Sequence, residues 1–197
     1  MNGRSEKPAF EPRELTLRDG RVVLLRAAEP DDAPAILAYL RLRTPEFTEY
    51  ILSLPEEMDF TEEQERGIIA DVVASPGSLM MVVLAGDEVV AMLSCRSNDR
   101  RRRIAHVAGV GMSSAKAYWG SGLGTHMMSA LIVWAEANPV LGMLELSVYA
   151  CNERALRLYR QSGFIEIGTV PGRTRFNDGT TRDDIRMYRP VERGNNG

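Results

Sequence analysis

The sequence has few residues of the kinds that build disulfide frameworks and metal sites. Its two cysteines, Cys95 and Cys151, stand far apart in no CxxC pair, and its two histidines, His106 and His126, lack metal-ligand spacing. Disulfide-rich secreted domains need several paired cysteines, and zinc sites need clustered cysteine and histidine ligands. We therefore expect no bound metal and a cytoplasmic location, where thiols stay reduced.

Long hydrophobic runs are also absent. No stretch of about 18 apolar residues occurs, and residues 1–14 lack the apolar segment of a signal peptide, so we expect no membrane span and no export. The formal net charge of −3 argues against a surface built for nucleic acid or for an anionic membrane. We expect neither to be a partner. Five arginines within residues 96–103 leave RNA binding as a minor alternative.

The familiar phosphate-binding motifs are missing as well, although one stretch shares their physics. Residues 117–128 read AYWGSGLGTHMM, with glycines at alternate positions. This GxGxG spacing does not match the dinucleotide fingerprint GxGxxG, and no lysine follows it as a Walker A loop requires. Bare glycine amides ahead of a helix can still bind an anionic phosphate. The stretch therefore predicts a pyrophosphate-binding turn without identifying the ligand.

The length of the chain is enough for one domain. With 197 residues, 44% of them hydrophobic, the chain can bury a substantial core but is short for two domains. Both ends are polar and lack periodicity, which is typical of frayed tails. We therefore expect a single domain over residues 14–190, with disordered tails at residues 1–13 and 191–197.

Local signals in the first half mark the element boundaries. Asp19-Gly20 between two apolar runs predicts a hairpin turn. Asp31 or Asp32 is expected to cap a first helix, and Thr61 with Gln64 forms the capping box of a second. Apolar runs at residues 79–85 and 88–97 and at about 103–114 then predict three antiparallel strands.

The second half continues the alternation of helix and strand. A helix is expected from about Gly122, a strand over residues 143–150, and a helix capped by Asn152 with its arginines facing outward. Gly163 suits the end of that helix, and Asp178-Gly179 predicts a last hairpin. The order predicts an α/β (α+β) fold, in which a mixed, mainly antiparallel sheet of about seven strands is flanked by about four helices.

Two segments together resemble a known family. Residues 119–124, WGSGLG, are similar to an acyl-CoA loop that runs Arg or Gln, x, x, Gly, x, then Gly or Ala. Asn152 and Glu153 are followed by RALRLYRQSGF, which begins at Arg154 and matches the pattern RAxxLYxxxGF. On this pair of motifs the chain resembles the GCN5-related N-acetyltransferases (GNAT), from about Leu15 to Arg189. One departure is Trp119, which stands where the family usually has Arg or Gln.

The resemblance implies acetyl-CoA as co-substrate and assigns its binding residues. Loop amides and the following helix dipole would hold the pyrophosphate, while the pantetheine arm would pair with the end of a splayed strand. The residues expected to contact the coenzyme are Met112, Ser113, Ser114, Trp119, Gly120, Ser121, Gly122, Leu123, Gly124, Thr125, Asn152, Ala155 and Tyr159.

The resemblance also implies a catalytic role for Tyr159, while the general base stays open. In many members this tyrosine protonates the departing sulfur. Ser147 occupies the position where protein N-terminal acetyltransferases of the family often have Glu, which leaves Glu145 or a water chain as the base. The acidic segment from Thr44 to Glu65 would attract a cationic substrate, or it is only a solvated face.

These observations give a ranked set of functions. The resemblance favours N-acetyl transfer to a small primary amine, such as an amino acid, a polyamine or an amine-bearing toxin, by direct attack in a ternary complex. The alternatives are acetylation of protein N-termini, of the ribosomal-protein type, and a non-catalytic acyl-CoA-binding module. Since members of the family are often dimers, the resemblance also allows a homodimer.

Overall fold

The computed structural model describes residues 7–47, 50, 57, 59–98 and 101–192. Much of the acidic segment between Thr44 and Glu65, and part of the arginine-rich turn, therefore lie outside the described residues. The helices are α1 (Ala33–Phe47), α2 (Glu62–Ala74), α3 (Leu123–Ala137) and α4 (Glu153–Gln161). The strands are β1 (Arg13–Thr16), β2 (Val22–Ala27), β3 (Leu79–Ala85), β4 (Glu88–Ser97), β5 (Val107–Ser114), β6 (Met143–Tyr149), β7 (Ile165–Arg175) and β8 (Thr181–Pro190).

All of these strands join one sheet in the order β1-β2-β3-β4-β5-β6-β8-β7. Neighbouring strands are antiparallel except β5 and β6, which are parallel. This is the predicted mixed, mainly antiparallel architecture with four described α-helices. The eight strands exceed the expected seven because both arms of each terminal hairpin, β1–β2 and β7–β8, pair within the same sheet.

The helices cover the two faces of the sheet and form two cores. Strand residues alternate between the faces, as the period of two requires. On one face, Met80 and Val82 of β3 pack with Ile36 of α1 and Ile69 of α2. The larger core on the other face contains α3 and α4, together with buried residues of the sheet such as Met81. The sheet is therefore a partition with α1 and α2 on one side and α3 and α4 on the other.

Most predicted helix ends are confirmed, and one cap is wrong. Thr61 and Gln64 form the predicted capping box of α2, and the Asn152 side chain accepts a hydrogen bond from the amide of Ala155 at 3.1 Å. Neither Asp31 nor Asp32 caps α1, because a 3₁₀ turn at Pro30–Asp32 precedes that helix. The Asp32 carboxylate instead accepts two 2.6 Å hydrogen bonds from the Arg26 guanidinium on β2.

The described part of the N-terminal segment packs against the domain. The Lys7 ammonium donates to the carbonyl of Val72 at 2.9 Å, and the Trp134 indole N–H donates to the carbonyl of Pro8 at 3.0 Å. A buried indole N–H needs an acceptor, which explains why the chain is held there. Residues 1–6 and 193–197 of the expected tails lie outside the described residues.

No described helix has both the length and the apolar character that a membrane span requires.

Candidate active site

A cleft opens where β5 and β6 separate. The two strands pair only from Val107 and Met143 to Gly109 and Glu145, although β5 continues to Ser114 and β6 to Tyr149. The unpaired ends line a cavity of about 800 Å³. Parallel strands that part in this way leave backbone groups without sheet partners, so an extended ligand can pair with them.

The glycine-rich turn lies at one side of this cavity, where α3 begins. Gly120 and Gly122 have φ of +76° and +89°, a left-handed backbone that other residues adopt only with strain. Gly124 leaves little room for a side chain, since a Cβ there would lie 3.1 Å from the Cδ2 of Leu158 on α4. Two of the glycines therefore shape the turn, and the third lets two helices approach.

The turn leaves amides available to a ligand. Among the described residues, none accepts a hydrogen bond from the amides of Gly120, Gly122 or Gly124. The amide of Thr125 donates to the carbonyl of Gly122 at 3.1 Å. Unsatisfied amides at a helix N-terminus attract an anion, because they add to the positive end of the helix dipole. The turn therefore fits a phosphate group.

Trp119 and Arg154 form a stacked pair beside the turn. The guanidinium carbon of Arg154 lies 3.5 Å from the centroid of the Trp119 ring, and the indole N–H donates to the carbonyl of Ser114 at 3.1 Å. Both residues line the cavity. Arg154 is exposed, as expected for the outward face of α4, and the indole offers its guanidinium a cation–π contact at the cavity. Burial lowers the pKa of Arg154, with smaller opposing effects from Tyr50 and Tyr159.

Tyr159 reaches the cavity from α4 and is 7% exposed. Among the described residues, none hydrogen-bonds its hydroxyl. Burial raises the pKa of Tyr159 to about 12, against a smaller lowering by Arg154. The phenol therefore stays protonated at neutral pH and can donate a hydrogen bond to a group in the cavity.

The other side of the cavity is formed by α1, α2 and the sheet face they cover. Its polar groups include Glu65 of α2, which is 4% exposed, and a hydrogen bond of 3.0 Å between the hydroxyls of Tyr39 and Ser113. Met80 and Met92 add apolar surface. This side can therefore take a molecule with an apolar body and a polar end.

Asp184 of β8 is the second carboxylate of the cavity. It is 4% exposed, and its Oδ2 lies 3.2 Å from the Nε of Arg173 on β7, although no described group hydrogen-bonds that oxygen. Asp184 thus has a charged partner of its own.

The structure brings most of the predicted site residues to this one cavity. Twelve of the thirteen predicted coenzyme contacts line it, and the thirteenth, Ser121, is buried, with its hydroxyl donating to the carbonyl of Tyr118 at 2.7 Å. Glu145, the alternative base, is exposed and outside the lining.

No sequence motif marks Glu65, Tyr39 or Asp184 as part of this site. Glu65 does carry a sequence signal for burial, because its position lies on the same helical face as the apolar residues Ile69 and Val72. Its place within a run of acidic residues masks that signal.

Comparisons with known proteins agree with this geometry. A model of the acetyltransferase (GNAT) family matches residues 18–164. An acetyltransferase of the GNAT family from Streptococcus pneumoniae is similar with a TM-score of 0.81 at 24% identity, over 86% of this chain and 99% of that chain. A ribosomal-protein-alanine N-acetyltransferase from Brucella melitensis gives a TM-score of 0.72 at 23% identity, over 85% and 99%. A phosphinothricin acetyltransferase from Sinorhizobium meliloti, solved with acetyl-CoA, gives 0.74 at 17% identity, over 93% and 92%. At these identities the structural likeness establishes the fold and leaves the acceptor open.

Proposed function

Because this chain belongs to the acetyltransferase (GNAT) family and is thus an acyltransferase, we propose that it transfers the acetyl group of acetyl-CoA to a primary amine of a small molecule. The observation that carries the proposal is the cavity at the parting of β5 and β6, which has unsatisfied amides on one side and an acceptor side with apolar and polar lining on the other. One ligand with an anionic end and a second with an amine can meet there.

The coenzyme is assigned to the side of the cavity near α3 and α4. The amides of Gly120, Gly122 and Gly124 would donate to the pyrophosphate, and Arg154 would add a positive charge that Trp119 does not carry. The end of β5, Met112–Ser114, would pair with the pantetheine arm. Asn152 and Ala155 at the start of α4 also line this path.

Tyr159 is assigned the role of stabilising the sulfur atom that leaves the thioester. The pKa of a free thiol is about 8.5, whereas burial raises the pKa of Tyr159 to about 12. Full proton transfer to a thiolate is therefore uphill by roughly 5 kcal/mol. The phenol would instead stabilise the sulfur by donating a hydrogen bond as the C–S bond breaks, and would relay a proton afterwards.

A small acceptor is favoured by the shape and lining of the other side. The space beneath α1 and α2 is bordered by Met80, Met92 and Ile68, so an amine with an apolar body would bury surface there. The structurally similar proteins include a ribosomal-protein-alanine N-acetyltransferase and a phosphinothricin acetyltransferase, so both acceptor types belong in the test.

The proposal is tested by calorimetry and an acceptor panel. Acetyl-CoA and CoA should bind the purified protein, and thiol release from acetyl-CoA should depend on an α-amino acid, an amine-bearing small molecule or a polyamine. Turnover with peptides alone would replace this proposal with protein N-terminal acetylation. Absence of heat with either coenzyme form would remove the assigned coenzyme site.

A further inference from the structure

Glu65 is a carboxylate placed where helix geometry calls for an apolar residue. In α2 the positions of Glu65, Ile69 and Val72 share the face that packs inward, and all three are buried. Glu62 and Glu63, in the same first turn, are exposed. The capping box of Thr61 and Gln64 fixes the start of the helix, so the register that buries Glu65 is set by the sequence.

The fold compensates this buried charge only in part. Among the described residues, none donates a hydrogen bond to the Glu65 carboxylate and none forms an ion pair with it. Burial raises the pKa of Glu65, and the positive charge of Arg96 on β4 opposes that shift only in part. An unpaired buried carboxylate costs free energy, so its presence points to a partner that arrives from outside.

The other charged residues of the cavity indicate which charge a ligand of Glu65 would carry. The charged residues that line it besides Glu65 are Arg18, Arg96, Arg154, Arg157, Arg173 and Asp184. Since Asp184 lies against Arg173, Glu65 is the one carboxylate of this lining without an ion-pair partner among the described residues. Arg18, Arg154 and Arg157 suit an anionic coenzyme. Glu65, whose charge Arg96 offsets only in part, suits a cation.

Glu65 also lies on the acceptor side of the partition. Its helix covers the sheet face that carries Met80, on the opposite side from the core of α3 and α4. Ser94 of β4 and Tyr39 of α1, both in the same lining, add uncharged polar groups to the cavity. A cation bound at Glu65 would thus approach the parting of β5 and β6 from the face opposite the glycine turn.

We infer that Glu65 binds the ammonium group of the acceptor and takes up its proton before the nitrogen attacks the thioester. This inference rests on the proposed acetyl transfer, and it identifies the base that Ser147 and Glu145 do not supply. It also selects acceptors whose amine is protonated in solution and whose body fits the apolar surface near Met80.

The proton and electron balance is simple. The ammonium gives one proton to the Glu65 carboxylate, which leaves a neutral amine and a carboxylic acid. The nitrogen lone pair forms the C–N bond while the C–S bond breaks, and the electron pair of that bond stays on sulfur. The nitrogen then sheds a second proton, sulfur gains one with Tyr159 as relay, and Glu65 returns its proton to water. One ammonium and one thioester thus yield one amide, one thiol and one proton.

The test compares Glu65→Gln with Glu63→Gln, its matched control in the same first turn of α2. Each variant removes one negative charge near the helix N-terminus, so the helix-dipole effect is shared. The acceptor is the best alkylamine of the panel, and an arylamine of similar size provides a nucleophile that is uncharged at neutral pH. Calorimetry with CoA is run on every variant.

For Glu65→Gln we expect kcat/KM with the alkylamine to fall by roughly 10²-fold or more, while activity with the arylamine stays within about threefold. The wild-type pH profile should level off at neutral pH, once Glu65 is ionised. The variant's profile should rise with unit slope toward the pKa of the amine, about 10.4 for an alkylamine. Glu65→Asp keeps a carboxylate and should keep the wild-type shape at a lower rate.

Two further readouts separate this role from a structural one. Since the buried carboxylate has no described partner, Glu65→Gln should unfold at no lower temperature than the wild type at pH 7, and its CoA affinity should stay within about twofold. Equal losses with both amines, or an unchanged pH profile, would overturn the inference while leaving the transferase activity intact. Failure of the wild type to bind CoA or to turn over any amine would instead refute the proposed function.

Discussion

The guanidinium group of Arg154 stacks on the indole ring of Trp119, with 3.5 Å between its central carbon and the ring centroid. Trp119 stands where the family motif usually has Arg or Gln, so a positive charge is missing from the loop itself. Arg154, two residues after the cap of α4, restores a guanidinium at the same cavity. Among the described residues, it has no carboxylate partner, which leaves its charge available to a phosphate.

Replacement of Arg154 by Gln should therefore weaken CoA binding by roughly 10- to 100-fold, since a hydrogen bond to a charged group is worth about 1.5–3 kcal/mol. Isothermal titration calorimetry measures the dissociation constant directly. Arg160→Gln on the same helix is the control, because Arg160 pairs with Glu166 outside the cavity. Equal dissociation constants for the two variants would remove Arg154 from the coenzyme site.

The sequence predicted the parts of this site that depend on local signals. The turn glycines, the Asn152 cap and the helix end at Gly163 follow from backbone rules that act over a few residues. The structure agrees with these predictions: Gly163 has φ of +81°, and the Asn152 side chain accepts a hydrogen bond from the Ala155 amide.

What local rules could not predict were contacts between distant elements. The position of Arg154 lies on the outward face of α4, but its guanidinium stacks on the Trp119 ring, and the two residues are 35 positions apart in the sequence. Asp32 was expected to cap a helix, yet Arg26 on the preceding strand holds its carboxylate. Glu65 was read as part of an acidic surface run because burial of one member depends on where α2 meets the sheet.

Substitution of Gly122 by Ala should destabilise the protein by about 1–2 kcal/mol, because an L residue is strained at its φ of +89°. The new Cβ would also lie 3.3 Å from the Nε of Arg18.

Gly67→Ala is the matched control within α2, where φ is not positive and a Cβ would meet nothing within 4 Å. That change should stabilise the protein by about 0.5–1 kcal/mol. Urea unfolding compares the two, and loss of stability in both would contradict this account of the turn.

Substitution of Asp32 by Asn should lower the free energy of unfolding by about 2–3 kcal/mol at pH 7, because it leaves the partly buried Arg26 without its carboxylate. The Arg26 hydrogen bonds, and then that of the Glu29 amide, lower the pKa of Asp32. A lowered pKa in the folded state stabilises the protein above the unfolded value of about 3.9. The difference between wild type and variant should thus persist at neutral pH and shrink as the pH falls below about 4.

Denaturant unfolding at pH 7 and at pH 3 measures this difference. Asp31→Asn is the control, since Asp31 pairs with Arg66 at an exposed position and should change stability by less than about 1 kcal/mol. A deficit for Asp32→Asn that stays constant down to pH 3 would mean that the carboxylate charge is not its origin.

The two cysteines should differ in reactivity. Cys95 is buried on β4, and burial raises the pKa of its thiol to about 12, whereas Cys151 is exposed before α4. Because the thiolate is the reactive form, an alkylating reagent should modify Cys151 in the folded protein and both residues after unfolding. Mass spectrometry of the digested protein locates the labels, and rapid native labelling of Cys95 would contradict the buried position.

Replacement of Tyr159 by Phe tests the role proposed for the phenol. The variant should keep its affinity for CoA within about threefold and lose roughly 10²-fold in kcat, since the departing sulfur loses its hydrogen-bond donor. Tyr188→Phe is the control, because Tyr188 on β8 does not line the cavity.

Since burial raises the pKa of Tyr159 to about 12, the phenol should remain protonated up to about pH 10, and the wild-type rate should show no decline from its ionisation below that pH. Full activity in the Phe variant would assign protonation of the thiolate to water, and would leave the buried hydroxyl of α4 without a part in the reaction.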